Sequence, residues 1–338
     1  MLERDGVTTR AAGSPAPKIE LHVHLEGTVR PDTLLAIARR NGQRLPVDTV
    51  DELRRLYEFT DFANFIRVWS MTTNCLRTAD DFRQVVVDYA AEAAGHGAVY
   101  LEGIFSPAER VMRGVGWAEI LEGYADGAAA AEQEHGVVVR LTPDIDRELD
   151  PELAQECARQ VVRYRDRGVV GFGIGGPELA APASRYARAF AIAREGGLAL
   201  VPHAGEAGGS DSVREVLGFD PARVRHGLRV VDDPGLLKEI VDRGIVLDVC
   251  PTSNLRTRVV ETLDDHPLPA LHAAGVRCSV GTDDPAMFDT DLGREWTVAE
   301  RLGVPPSAAY EAGVAGALCD EVTRRRLEAL GAAAYGYS

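Results

Sequence analysis

Lysine is almost missing from this chain: only Lys18 and Lys238 occur, and arginine supplies the rest of the positive charge. No two cysteines stand as C-x-x-C. The five present, Cys75, Cys157, Cys250, Cys278 and Cys319, are an odd number scattered over a long chain, which argues against a disulfide framework and for reduced, buried thiols. No apolar run reaches membrane-spanning length, so no membrane association is expected. The first seventeen residues, Met1 to Pro17, are polar with Gly, Ser and Pro and carry no apolar signal core, so the cytoplasm is the expected location. Clustered basic residues are also missing. A formal net charge of −15 argues against a partner held by its phosphates, and no nucleic acid is expected. There is no repeat, low-complexity tract or linker. One domain over residues 1–338 is the expectation, with 1–16 as a flexible N-terminal extension and nothing that decides for or against a homo-oligomer.

What is present is alternation. Short runs rich in Val, Ile and Leu occur at 18–24, 97–105, 136–142, 169–174, 198–203, 223–228, 245–250 and 276–281. Such runs read as strands buried on both faces. Helical patterns lie between them: Asp32 to Arg40 after Pro31, Trp117 to His135, Pro151 toward Arg167 after an N-cap at Asp150, then 182–195, 210–218, 233–243 and 266–274. Eight strands alternating with helices predict an α/β fold, a (β/α)8 TIM barrel, with a doubly wound sheet as the second choice. About seventy residues between the first two strands, and Asp291 to Ser338 after the last, exceed a minimal barrel and are expected as extra helices.

Four short motifs carry the chemistry. His22-Val23-His24 ends the first strand, and period-2 alternation puts both imidazoles on one face. His203-Ala204-Gly205-Glu206 follows the fifth strand, His226-Gly227 the sixth and Thr282-Asp283-Asp284-Pro285 the eighth. Each is weak alone, because a lone histidine is more often a hydrogen-bonded core residue. Together they all fall at C-terminal strand ends, the face where barrel enzymes build their sites. Three imidazoles and a carboxylate suit zinc. The expected ligands are His22, His24, His203 and Asp283 around one Zn2+ per chain, with Glu206 reaching past the metal. A pair of metals bridged by a carboxylated lysine is disfavoured, since neither Lys18 nor Lys238 lies at that rim.

These motifs, with PKIELHVHLEG (17–27), YLEGIFSP (100–107) and CPTSN (250–254), resemble the adenosine deaminase family of amidohydrolases along nearly the whole chain. The resemblance implies a hydrolase that exchanges the 6-amino group of an adenine nucleoside or base for oxygen. It implies Glu206 as the proton shuttle to N1 of the purine and His226 as the group that orients the activated water. Asp284 is implied as the partner of N7 and Gly176 as a backbone donor to N3. His24 lies beside the substrate as well as the metal in this reading.

The chain also departs from the family pattern. Glu26 stands where an aspartate near the ribose 5′-hydroxyl is usual, and Gly173 and Pro177 replace two aspartates. Those changes resemble the adenine and aminodeoxyfutalosine deaminase branch. Similarity in 81–111 and 278–296 favours aminodeoxyfutalosine, an adenosine with a bulky 5′ substituent used in menaquinone biosynthesis, over adenosine or adenine in purine salvage. Phe62, Phe65, Ile66 and Trp69 recur at helical spacing. That stripe suits a helix core, while the resemblance makes Phe62 part of a lid over substrate. Rival readings are another single-metal amidohydrolase and a catalytically silent nucleoside-binding protein. The H-x-E with P-C-x-x-C signature of cytidine-type zinc deaminases is lacking.

Overall fold

The computed structural model describes residues 15–336, so the extension expected over 1–16 lies almost wholly outside the described residues. The barrel strands are β1 (Lys18–His24), β2 (Ala98–Ile104), β3 (Val138–Leu141), β4 (Asp144–Asp146), β5 (Gly171–Gly175), β6 (Ala199–Leu200), β7 (His203–Ala204), β8 (Arg223–His226), β9 (Val246–Val249) and β10 (Arg277–Val280). All pair in parallel. Nine of them fall on the eight expected runs, while β4 lies just past the third run, 136–142, beyond Pro143. Pro202 splits the fifth run, and at both prolines the missing N–H interrupts the ladder. The proline carbonyls still accept, from Gly173 N and Arg225 N, so neighbouring strands stay joined. Pairing of Val23 with Asp283 brings the last strand back to the first. The fold is the TIM barrel that the alternation predicts.

Helices begin where the sequence offers caps. Thr49 and Thr78 form capping boxes, and Asp61, Asp150, Asp233, Asp291 and Asp320 accept from first-turn N–H groups. The insertion after β1 folds into helices Pro31–Arg40, Val50–Leu56, Phe62–Thr73 and Ala79–Gly95, of which Phe62–Thr73 reaches over the C-terminal mouth. After β10 come Pro285–Phe288, Leu292–Arg301, Pro306–Gly316 and Glu321–Tyr335.

The barrel interior differs from the apolar strands expected. Glu20, Glu102, Arg223, Arg225 and Asp248 are all fully buried. Arg223 donates to Asp248 at 2.7 Å, to Glu102, and to the carbonyl of Gly316. Arg225 donates to Asp144 at 2.6 Å and to Thr142 at 2.7 Å. Burying such charges costs several kcal/mol per ion unless each is paired and hydrogen-bonded, and here each arginine has multiple acceptors. Single inward-facing polar residues within a mostly apolar run hid this layer from a hydrophobicity reading.

Candidate active site

Strand alternation aims Glu20, His22 and His24 into the barrel, and the C-terminal end of β1 leaves the two imidazoles at the rim. His203 heads β7, His226 ends β8, and Asp283 follows β10. Backbone bonds lock the first and last strands together here: His24 N donates to Asp283 O at 2.7 Å and Asp283 N to His22 O at 3.1 Å. His226 and Asp283 both adopt φ of +62°. Left-handed backbone at non-glycine residues is costly and gathers at functional sites.

The four expected ligands come together. His22 Nε2 is 3.2 Å from His203 Nε2, and His24 Nε2 is also 3.2 Å from it. Asp283 Oδ1 is 3.5 Å from His22 Nε2 and 3.3 Å from His24 Nε2. Ligands about 2.0–2.1 Å from one tetrahedral ion stand roughly 3.3–3.4 Å apart, so the spacing fits a single metal. The tautomers fit too. His22 Nδ1 faces the Asp248 carbonyl at 3.2 Å and His203 Nδ1 the Ile174 carbonyl at 2.9 Å. A carbonyl can only accept, so both Nδ1 atoms carry the proton and both Nε2 lone pairs face the centre. His203 Nδ1 also lies 3.0 Å from Asp144, the carboxylate that Arg225 holds.

Electrostatics favour a cation. Burial pushes His24 down to about 3 and His203 well below the usual histidine value, so both are neutral donors. Burial opposes ionisation of Asp283, yet His22, His24 and His226 hold it well below the usual carboxylate range. Ser253 Oγ donates to its second oxygen at 2.6 Å.

The acids around this centre behave oppositely. Burial, with Asp283 and Glu178 nearby, pushes Glu206 well above its ordinary value, which favours the protonated acid. Its Oε2 is 3.5 Å from His226 Nε2. Burial and the adjacent Asp283 do the same to Asp284. Its Oδ1 accepts from Trp69 Nε1 at 2.8 Å. Gly27 carries no side chain for a local reason: a Cβ there would sit 1.8 Å from that same oxygen.

An open cleft of about 700 Å3, mouth and adjoining solvent included, lies above these groups. Phe62, Phe65, Ile66 and Trp69 form one wall, and Ser106, Glu109, Asp146 and Gly176 line it elsewhere. The stripe divides its labour: Phe65 and Trp69 are buried, while Phe62 and Ile66 stay half-buried at the cavity. Gly176 has φ of +79°, and a Cβ there would lie 2.0 Å from Asp146 Oδ2. Burial brings Glu109 and Asp146 each up to about 7.

Glu26 is buried beside the cavity. It does not line the cavity; its Oε1 accepts from Ser106 N at 2.8 Å behind the wall. Gly173 has a steric reason, since a Cβ would meet Asp144 Oδ1 at 2.3 Å and Arg225 at 2.7 Å. The aspartate usual at that position cannot fit beside this pair.

Several site residues escaped the sequence reading. Glu178 accepts from the N–H groups of Gly205 at 2.5 Å, Glu206 at 3.0 Å and Gly208 at 2.6 Å, and from Ser212. It thereby shapes the loop that carries Glu206. Ser253 stands inside the CPTSN motif and Glu178 directly follows Pro177, so both were within reach of the motifs; Trp69 was read only as apolar.

Known proteins resemble this chain over nearly its whole length. The family model described as adenosine deaminase matches residues 17–327. An aminodeoxyfutalosine deaminase of Acidothermus cellulolyticus is 60% identical over 98% of this chain and 95% of its own length. An adenine deaminase of Streptomyces coelicolor is 38% identical over 86% of each chain. Among solved structures, adenine deaminase from Arthrobacter aurescens superposes with a TM-score of 0.90 at 30% identity, covering 94% of this chain and 99% of that one. An amidohydrolase from Burkholderia ambifaria with bound Zn gives 0.86 at 28% identity, covering 94% and 90%. The rim of imidazoles and carboxylates is that of a metal-dependent hydrolase acting on the C–N bond of an amidine, and the chain belongs to the adenosine deaminase family.

Proposed function

We propose that the protein hydrolyses the 6-amino group of an adenine nucleoside, releasing ammonia, with 6-aminodeoxyfutalosine as its substrate and zinc as its metal. The observation that carries the reaction is the placement of Glu206, an acid that burial favours in its protonated form, beside His22, His24, His203 and Asp283 on one rim. The substrate reading rests on the 60% identity with the Acidothermus relative over 98% of the chain. A cavity that continues past the metal toward Ser106, Glu109 and Asp146 supports a nucleoside over a bare base.

Zinc held by His22, His24, His203 and Asp283 would supply a nucleophile at neutral pH, by lowering the pKa of water from 15.7 toward about 7. Attack at C6 costs the ring its aromaticity, so N1 needs a proton as the new bond forms. Glu206 gives its proton to N1, and its carboxylate then takes the proton of the hydroxyl added at C6 and hands it to the amino group, which leaves as ammonia while the C6 carbonyl forms. Asp284, which burial and Asp283 favour in the protonated form, can then donate to N7, with its other oxygen fixed by Trp69. The backbone N–H of Gly176 is assigned to N3. Phe62 and Ile66 supply apolar surface that keeps bulk water from the ring.

A second reading, deamination of free adenine, is favoured by the adenine deaminases at 38% identity and at a TM-score of 0.90. Measuring kcat/KM for aminodeoxyfutalosine, adenosine and adenine on metal-replete enzyme decides between them. A clear preference for adenine refutes the nucleoside assignment, and one tightly held zinc per chain is the expected metal content. Among the described residues no helix is long and apolar enough to cross a membrane.

A further inference from the structure

Four histidines crowd this rim, and their ring nitrogens alone do not say which bind metal. His22, His203 and His226 form one cluster that could hold an ion, and His22, His24 and Asp283 form another. His226 Nε2 is 3.5 Å from Glu206 Oε2 and 3.9 Å from Asp283 Oδ2. Its position permits ligation, proton acceptance or donation. The far side of the ring decides among them.

His226 Nδ1 lies 3.3 Å from Asn254 Nδ2, and Asn254 Oδ1 lies 3.1 Å from His266 Nε2. His266 Nδ1 in turn meets the backbone N–H of Leu268 at 3.0 Å. That N–H can only donate. His266 Nδ1 must accept, so its one ring proton sits on Nε2 and is given to Asn254 Oδ1. The amide orientation then follows without ambiguity: Nδ2 faces His226 and donates to its Nδ1. His226 is left with its proton on Nε2, pointing at the metal side. All of these groups are buried, with His226 at 1%, Asn254 at 0% and His266 at 3% exposure. Burial also holds His266 down to about 4, in keeping with a neutral ring.

We infer that Asn254 and His266 are positioning residues that hold His226 as the Nε2–H tautomer, opposite to His22 and His203, so that it donates a hydrogen bond to the attacking water and neither ligates the metal nor takes its proton. Backbone carbonyls set the ligating tautomer in His22 and His203. A backbone N–H, relayed through two side chains, sets the opposite one in His226. Proton transfer is thereby left to Glu206. The inference rests on the deaminase reading for its kinetic consequence and on hydrogen bonding alone for the tautomer.

The test uses zinc-loaded enzyme labelled with 15N-histidine. His226 resonances, identified by their loss in His226→Asn, are expected to show a protonated Nε2 and an unprotonated Nδ1. His266→Leu is expected to lower kcat by about 10–100-fold, the usual effect of losing such an outer partner, with KM and zinc content unchanged and with Nδ1–H signal appearing in His226. His266→Gln can accept from Leu268 and donate to Asn254, and is expected to return kcat to within about threefold of wild type. A protonated Nδ1 in the wild-type enzyme overturns the inference. So does a kcat in His266→Leu equal to wild type, or an activity loss that only tracks lost zinc or lost fold and is not rescued by Gln. Should the enzyme deaminate no 6-aminopurine, the functional reading fails while the tautomer is still decided by the spectra.

Discussion

Replacing Trp69 by Phe tests how the purine is recognised. The indole Nε1 donates at 2.8 Å to Asp284 Oδ1, an oxygen buried with the rest of its residue. Phe keeps an aromatic ring beneath Arg110, whose guanidinium carbon is 5.6 Å from the indole centroid, and removes only the donor and one ring's worth of bulk. A buried acceptor left unsatisfied costs about 1–3 kcal/mol, equivalent to roughly 5- to 150-fold in kcat/KM if it is felt in the transition state. Asp284 freed from Trp69 can turn, and its proton no longer points reliably at N7. The decisive assay compares four numbers: kcat/KM of wild type and Trp69→Phe on an adenine nucleoside and on its 7-deaza analogue. The analogue has no N7 acceptor, so its reaction has already lost what Trp69 secures. The variant is expected to lose about tenfold more on the parent nucleoside than on the analogue, with zinc content unaltered. Equal losses on both substrates would sink the assignment of Asp284 to N7 and leave Trp69 as mere packing.

Glu206→Gln is expected to keep its metal and lose about 10²–10⁴ in kcat, the range for a lost general acid; ammonia release near the wild-type rate contradicts the shuttle. Because Glu206 is raised and must be protonated to act, kcat/KM is expected to hold at neutral pH and fall as pH rises through its pKa, a limb that Glu206→Gln should lack. Gly176→Ala forces a side chain into φ of +79° and onto Asp146 at 2.0 Å, for an expected cost of about 1–3 kcal/mol by urea unfolding together with a raised KM; wild-type values for both would show that the loop adapts. Stripping the metal with a chelator is expected to lower Tm and abolish turnover, both restored by zinc, since an ion that binds only the folded chain stabilises it; a Tm indifferent to chelation argues against the four-ligand site. His266 is depressed to about 4 in the fold and near 6.5 when unfolded, so the unfolded chain takes up the proton first as pH falls. Stability from this residue is therefore full above about 6.5 and lost down to about 4, on the order of 3 kcal/mol, and His266→Gln should be less acid-labile in denaturation curves across that window.

The amino-acid sequence by itself determined the barrel and which candidate residues stand at its rim. Short apolar runs set the strands, caps and prolines set the helix starts, and period-2 alternation put His22 and His24 on one face; these are local properties that a linear chain carries in full. Glu206 and Asp284 were legible as candidates for the same reason, standing in the motifs of His203 and Asp283. Tertiary structure decided what depends on partners far apart in the chain. Trp69 meets Asp284 across 215 residues, and nothing near either one announces it. Glu26 stands two residues from His24 in the motif, and only the fold shows that its Oε1 accepts from Ser106 N, 80 residues on. Gly173 looked like a lost aspartate, and the reason is the Asp144–Arg225 pair that fills its space from two other strands. A histidine's tautomer belongs to the same class, because the proton goes wherever a distant carbonyl or N–H sends it. The chain specifies which imidazoles reach the rim; only the closed barrel specifies which of them offer a lone pair and which offers a proton.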